Sequence, residues 1–150
     1  MKKQPHPPLT PTYISYVEPQ SYPLKFNNPL ALRVGQSHLQ RRLMEGQPEA
    51  RNAYCHFPTL SDGIIQGVLL LMHYHAAGEQ SLHKLFNRWP MRYPSLRDNI
   101  VRMLARQLMI TPHQPFMLTT HNAAVILALL CHHETGYNIP PSSIVTLIES

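Results

Sequence analysis

Acidic side chains are scarce in this sequence. Eight Asp and Glu stand against 13 Lys and Arg, giving a formal charge of +5 and a pI near 9.5. That balance suits an anionic partner such as a cell-wall polymer, a nucleic acid or a membrane surface, without choosing among them. It also leaves few carboxylates from which acid–base chemistry could be built. Cysteine is scarcer still. Cys55 and Cys131 cannot frame a disulfide scaffold, and each sits among apolar neighbours as buried thiols do, a single bridge between them being the alternative. Apolar runs stop short: residues 68–72 and 123–131 are the longest, far below the ~20 that span a bilayer. The start, Met1-Lys2-Lys3-Gln4-Pro5-His6-Pro7-Pro8, is basic with no apolar segment behind it. The expectation is therefore a soluble chain without an ordinary secretory signal, for which export would need another route.

Hydrophobic residues make up 43% of the chain, and its 15 prolines fall mostly outside the apolar segments, a globular pattern with stiff connections. A length of 150 residues makes one domain natural, burying roughly two-thirds of the surface of the unfolded chain. In residues 1–26, Pro5, Pro7, Pro8, Pro11, Pro19 and Pro23 predict an extended arm lying on the domain. Residues 30–34, Gly35-Gln36 and residues 53–57 read as short strands around a polar loop, a small hairpin. The period then turns helical. Ser61 is the expected cap of a helix to about residue 77, whose Ile64, Ile65, Val68, Leu69, Leu71 and Met72 cover much of its circumference and mark it as central. Ser81 caps a short helix to Arg88. Ser95 caps an amphipathic one, with Ile100, Val101, Leu104 and Leu108 opposite Asp98, Arg102 and Arg106. Residues 120–133 are apolar nearly all round, and Pro140-Pro141 precede a last short helix. The fold class is mainly α, with a small N-terminal β-hairpin region and a Pro-rich arm.

His132-His133-Glu134-Thr135-Gly136-Tyr137-Asn138-Ile139-Pro140 places a carboxylate within a turn of the end of the most apolar helix, before the glycine that lets the chain turn away. The negative end of the helix dipole and partial desolvation both disfavour ionisation, which suits a general acid. The plain alternative is a partly exposed helix-terminal glutamate with no chemistry.

This segment resembles the Glu-Ser-Gly-Phe-Asn-Pro signature of lytic transglycosylases in the lysozyme-like superfamily, with Thr135 for serine and Tyr137 for phenylalanine. A second set, Asn27-Asn28-Pro29-Leu30-Ala31-Leu32-Arg33, then Phe57-Pro58-Thr59-Leu60-Ser61-Asp62-Gly63-Ile64, then Leu85-Phe86-Asn87-Arg88-Trp89-Pro90, resembles a family of phage-encoded virion and cell-wall-lysis proteins. Those carry Asn-Pro-Gly-Asn-Ile-Arg, a Phe-x-x-Phe segment before a Gly-Ile helix, an Arg-Trp-Ala-Pro turn and a final His-Glu-Asn-Gly. Leu30-Ala31 stands where that pattern has Gly-Asn. The likeness covers residues 27–140, and the late position of the glutamate suggests a circular permutation of the transglycosylase order.

The resemblance implies a lysozyme-like catalytic domain over residues 27–150 that cuts bacterial peptidoglycan without a cofactor. Glu134 would act as acid and then base while the muramic acid 6-hydroxyl attacks internally, leaving a 1,6-anhydro end. It implies sugar contacts from His132, Thr135, Tyr137 and Asn138, and from Asn28, Arg33, Gln36 and Tyr54 of the hairpin. Delivery from the bacterial cytoplasm to the periplasm or wall would fall to a phage particle or a secretion machine.

Other readings stay open beside it. A hydrolysing muramidase would need a second carboxylate at about 5 to 9.5 Å, for which Glu45 and Glu49 of the polar loop are candidates, while Asp62 and Asp98 read as helix-start and surface residues. Ten histidines include His73-x-His75 and His132-His133-Glu134, but Tyr137 stands where a His-Glu-x-x-His helix needs its second histidine, so no metal is expected. Arg41, Arg42, Arg88, Arg92, Arg97, Arg102 and Arg106 could form a nucleic-acid footprint, yet no short turn sets a polar base-reading helix beside them, which favours a solvated helix face. Trp89-Pro90 reads as a loop packed on the core. A non-catalytic structural or wall-binding component is the remaining alternative.

Overall fold

A computed structural model of the chain describes residues 13–14, 22–33 and 53–150. Five α-helices among them carry a mainly α fold: α1 (Leu60–Ala76), α2 (Leu82–Arg88), α3 (Arg97–Leu108), α4 (Thr120–Thr135) and α5 (Pro141–Glu149). Two strands, β1 (Tyr13–Ile14) and β2 (Cys55–His56), pair antiparallel.

Local chemistry sets the helix ends. Thr59, in extended conformation, caps α1: its hydroxyl oxygen accepts the Asp62 N–H at 3.1 Å and the hydroxyl donates to the Asp62 carboxylate at 3.0 Å. The helix therefore starts before Ser61, the expected cap, which lies inside the first turn. Ser81 does cap α2, accepting the Lys84 N–H at 3.2 Å. Ser95 does not cap α3. It sits in the 3-10 turn Pro94–Leu96, and Leu96 leads into the helix with no side-chain cap. Thr119 accepts the Asn122 N–H at 3.0 Å to start α4, which ends as Gly136 turns left-handed at φ 75°.

Helix α4 is the hub, packing on α1, α3 and α5. Its buried residues Ala123, Leu127, Leu130 and Glu134 follow the i, i+4, i+7, i+11 spacing of a single stripe, and Ala124, Cys131 and Thr135 line its flank. The other side, with Val125, Ala128 and Leu129, is partly covered, so burial is less complete than the sequence suggests. The same correction applies more strongly to α1, where Leu69 is 40% and Met72 52% exposed. Among the described residues no helix is long and apolar enough to cross a membrane. Cys55 and Cys131 are both free and buried, which overturns the single-bridge alternative.

Residues 27–33 form a brace. Glycines let it approach α1, since a Cβ at Gly63 would collide with the Asn27 carbonyl oxygen and one at Gly67 with the Leu30 side chain. Asn28 fixes the next turn, its amide donating to the carbonyls of Leu32 at 2.9 Å and Cys55 at 3.1 Å while its oxygen accepts the Leu32 N–H at 2.9 Å. The expected hairpin contact is present as a bridge between Arg33 and Tyr54. Strand β2, however, takes its ladder partner from residues 13–14, within the Pro-rich segment. The extended arm needs a second correction, because Pro23–Phe26 is a 3-10 turn, which the fixed φ of Pro23 at its first position favours.

Candidate functional site

The stripe that makes α4 central carries Glu134 into the core at the helix's last turn, where the residue is only 2% exposed. Its partner comes from the turn after Trp89-Pro90. The Arg92 backbone N–H donates to Glu134 Oε2 at 2.8 Å, and the Arg92 guanidinium donates to the Glu134 backbone carbonyl at 3.1 Å. One residue thus anchors the carboxyl and satisfies a terminal carbonyl of α4, placing its charge at the negative helix end. Among the described residues Oε1 accepts no hydrogen bond, so the carboxyl is pinned at one oxygen only.

Burial pushes the Glu134 carboxyl up to about 7 from an ordinary 4.5, against the lowering effects of the Arg92 N–H bond and of the Arg92 and Arg33 charges. Desolvation is the largest of these effects, and each guanidinium also meets other groups. Arg33 lies 4.5 Å over the Tyr54 ring and donates to its hydroxyl at 3.3 Å. Arg92 lies between Tyr22 and Tyr93, 5.9 and 5.2 Å from their ring centres. No carboxylate contributes to the shift, so no second acid among the described residues couples to Glu134. Burial, with a smaller contribution from Glu134, pushes the neighbouring Cys131 thiol up to about 12.

The other expected contact residues divide. Thr135 is buried, its hydroxyl donating to the Pro29 carbonyl at 2.7 Å with the Cys131 carbonyl at 3.1 Å as second acceptor. The Tyr22 hydroxyl donates to the Thr135 carbonyl. Asn28 and Tyr54 are buried as well: Asn28 bonds Leu32 and Cys55, Tyr54 accepts from Arg33, and of the three only Thr135 ties the brace to α4. His132 is exposed and its Nδ1 lies 2.7 Å from Asn138 Oδ1. Residues two apart on a helix point to different sides, so that pair is not brought together with Glu134. Tyr137 packs against the core. Gln36, Arg41, Arg42, Glu45 and Glu49 lie outside the described residues. Trp89 is fully buried and packs edge-on against Tyr74 at 6.2 Å, as expected of a core loop.

Arg92, Tyr22 and Tyr93 are the site residues that sequence reasoning missed. Arg92 was visible only as one of several arginines; nothing in a linear pattern shows that its backbone N–H meets a carboxyl 42 residues away. The footprint reading of those arginines weakens accordingly, since Arg92 serves α4 and Arg88 pairs with Glu79 at 3.4 Å. Among the described residues no three His, Cys, Asp or Glu gather as a metal site. No family model, curated relative or solved structure matches the chain.

Proposed function

We propose that this protein cleaves the glycan strands of bacterial peptidoglycan, with Glu134 as the acid. The observation that carries this reading is a buried carboxyl whose pKa is pushed up to about 7, so that it keeps a proton well above the ordinary carboxylate range, with Oε2 fixed by a backbone N–H and Oε1 left to carry the proton. Oε1 delivers that proton to the glycosidic oxygen as the C1–O bond breaks. The 6-hydroxyl oxygen of the same muramic acid then bonds to C1, and its proton passes to the carboxylate, restoring the neutral acid. The internal attack needs no second carboxylate, since the substrate's own hydroxyl supplies the nucleophile at high effective concentration. With Glu134 2% exposed, substrate must uncover the carboxyl as it binds.

Two backbone features support the resemblance to the phage wall-lysis proteins. Ala31 adopts φ 53°, a conformation Asn tolerates better, at the position where that pattern has Asn. Gly63, in the Gly-Ile helix start, is where α1 admits the brace. The burial of Glu134 favours a second reading, in which the acid only ties the residue 89–92 turn to α4 and the protein is a non-catalytic wall-binding or structural component.

Purified protein incubated with isolated sacculi, followed by mass spectrometry of released muropeptides, tests both. Products ending in 1,6-anhydromuramic acid are expected. Reducing-end products alone would replace the transglycosylase with a muramidase, and no release at all would leave the non-catalytic reading.

A further inference from the structure

A cavity of about 180 Å³ that does not include Glu134 is lined by His83 and Asn87 of α2, by Arg97, Asp98 and Arg102 in the first turns of α3, and by His113. Its walls are tied together, since the His83 N–H donates to the Pro112 carbonyl at 2.9 Å. The lining is rich in donors. Arg97 Nε is buried without a hydrogen-bond partner, a state that is costly until an acceptor arrives. The Arg102 guanidinium is steadied by the Asn99 side-chain oxygen at 2.6 Å. The His83 and His113 rings lie 4.4 Å apart, tilted by 40°, and Asn87 adds an amide. Against these stands one carboxylate, Asp98.

We propose that this cavity binds a phosphate group, free or as a monoester. Two guanidiniums, two imidazoles and an amide supply more donors than the two oxygens of a carboxylate can use, whereas phosphate oxygens accept from all of them. The site is separate from Glu134 and does not depend on glycan cleavage.

Calorimetric titration of the full chain at fixed ionic strength tests this, with inorganic phosphate in one arm and glycerol 3-phosphate in the other. Saturable binding of inorganic phosphate assigns the site to the free anion, and binding of the ester alone assigns it to a monoester. Arg97→Met should weaken binding by about tenfold, and Arg106→Met, on the same helix but outside the lining, should leave it unchanged. Asp98→Asn removes the opposing charge and should tighten binding by about threefold, a gain that misfolding cannot mimic. Failure of both ligands to saturate up to tens of millimolar, or equal affinity in wild type, Arg97→Met and Asp98→Asn, would overturn the proposal.

Discussion

Helices α3 and α4 pack against each other but handle charge in opposite ways. Helix α3 keeps Asp98, Arg102 and Arg106 on its wet face, opposite buried Ile100, Val101 and Leu104. Helix α4 has no carboxylate before its last turn, and there Glu134 falls on the same stripe as Leu127 and Leu130 and is drawn into the core with them. Asp98, by contrast, is exposed. The stripe a carboxylate occupies, more than its distance from a helix end, decides whether it keeps its water or is desolvated. His132 makes the point within one turn: two residues from Glu134, it is exposed.

The largest expected effect lies at that acid. Glu134→Gln keeps an oxygen for the Arg92 N–H but cannot transfer a proton, so glycan cleavage should fall by about 10³-fold, within the range of lost general acid catalysis. Circular dichroism should stay unchanged. Residual cleavage close to wild type would remove Glu134 from the chemistry and erase the contrast with Asp98.

The next effect is on stability and does not depend on any activity. The carboxyl sits near 4.5 ordinarily and is pushed up to about 7 in the fold, so between those values the folded chain holds a proton that the unfolded chain has released. Stability contributed by this group is therefore full below about 4.5, falls as pH rises through about 7 and is level above. The loss amounts to about 3 kcal/mol. Urea unfolding from pH 4 to 8 should show this decline in wild type, and Glu134→Gln should be flatter and the more stable of the two at pH 8. Parallel profiles would mean that the carboxyl titrates normally.

Arg92→Ala separates the two contacts of its parent. The backbone N–H to Oε2 survives, whereas the guanidinium bond to the Glu134 carbonyl and its charge are lost. Stability should drop by about 1–2 kcal/mol. The pH midpoint of the stability profile should move upward, because the Arg92 charge lowers the Glu134 pKa. An unchanged midpoint would mean that desolvation alone governs the acid.

Much of this was legible in the sequence. Apolar periodicity located α1 to α5, and the apolar run of residues 123–131 just before it marked Glu134 as the unusual carboxylate. What was not legible depends on neighbours distant in the chain. Leu69 and Met72 look as apolar as Ile64, but among the described residues no helix packs over them, and they lie exposed. Asn28, Tyr54 and Thr135 look like polar contact residues, yet each is consumed in joining the brace. Ser61 and Ser95 were sound cap residues displaced because Thr59 reaches Asp62 first and Pro94 opens a 3-10 turn. Such competitions are settled by backbone geometry, which composition does not record.

The smallest effect compares two strained positions. Met109 ends α3 in left-handed conformation at φ 57°, and Ala31 in the brace adopts φ 53°. Each strains a residue with a Cβ, by roughly 1–2 kcal/mol, and glycine would relieve it. The surroundings differ. Met109 is 89% exposed, so Met109→Gly forfeits no burial, and only the extra freedom of the unfolded glycine, roughly 0.5–1 kcal/mol, offsets the gain. Ala31 is 3% exposed, and Ala31→Gly gives up a buried methyl as well, about 0.8 kcal/mol. Met109→Gly should therefore raise stability by about 0.5–1 kcal/mol while Ala31→Gly leaves it near zero, measured as shifts in the urea midpoint at constant m-value. A gain at Ala31 equal to that at Met109 would mean that its methyl contributes nothing to the packing of the brace, and that the segment supporting Glu134 is held by its hydrogen bonds alone.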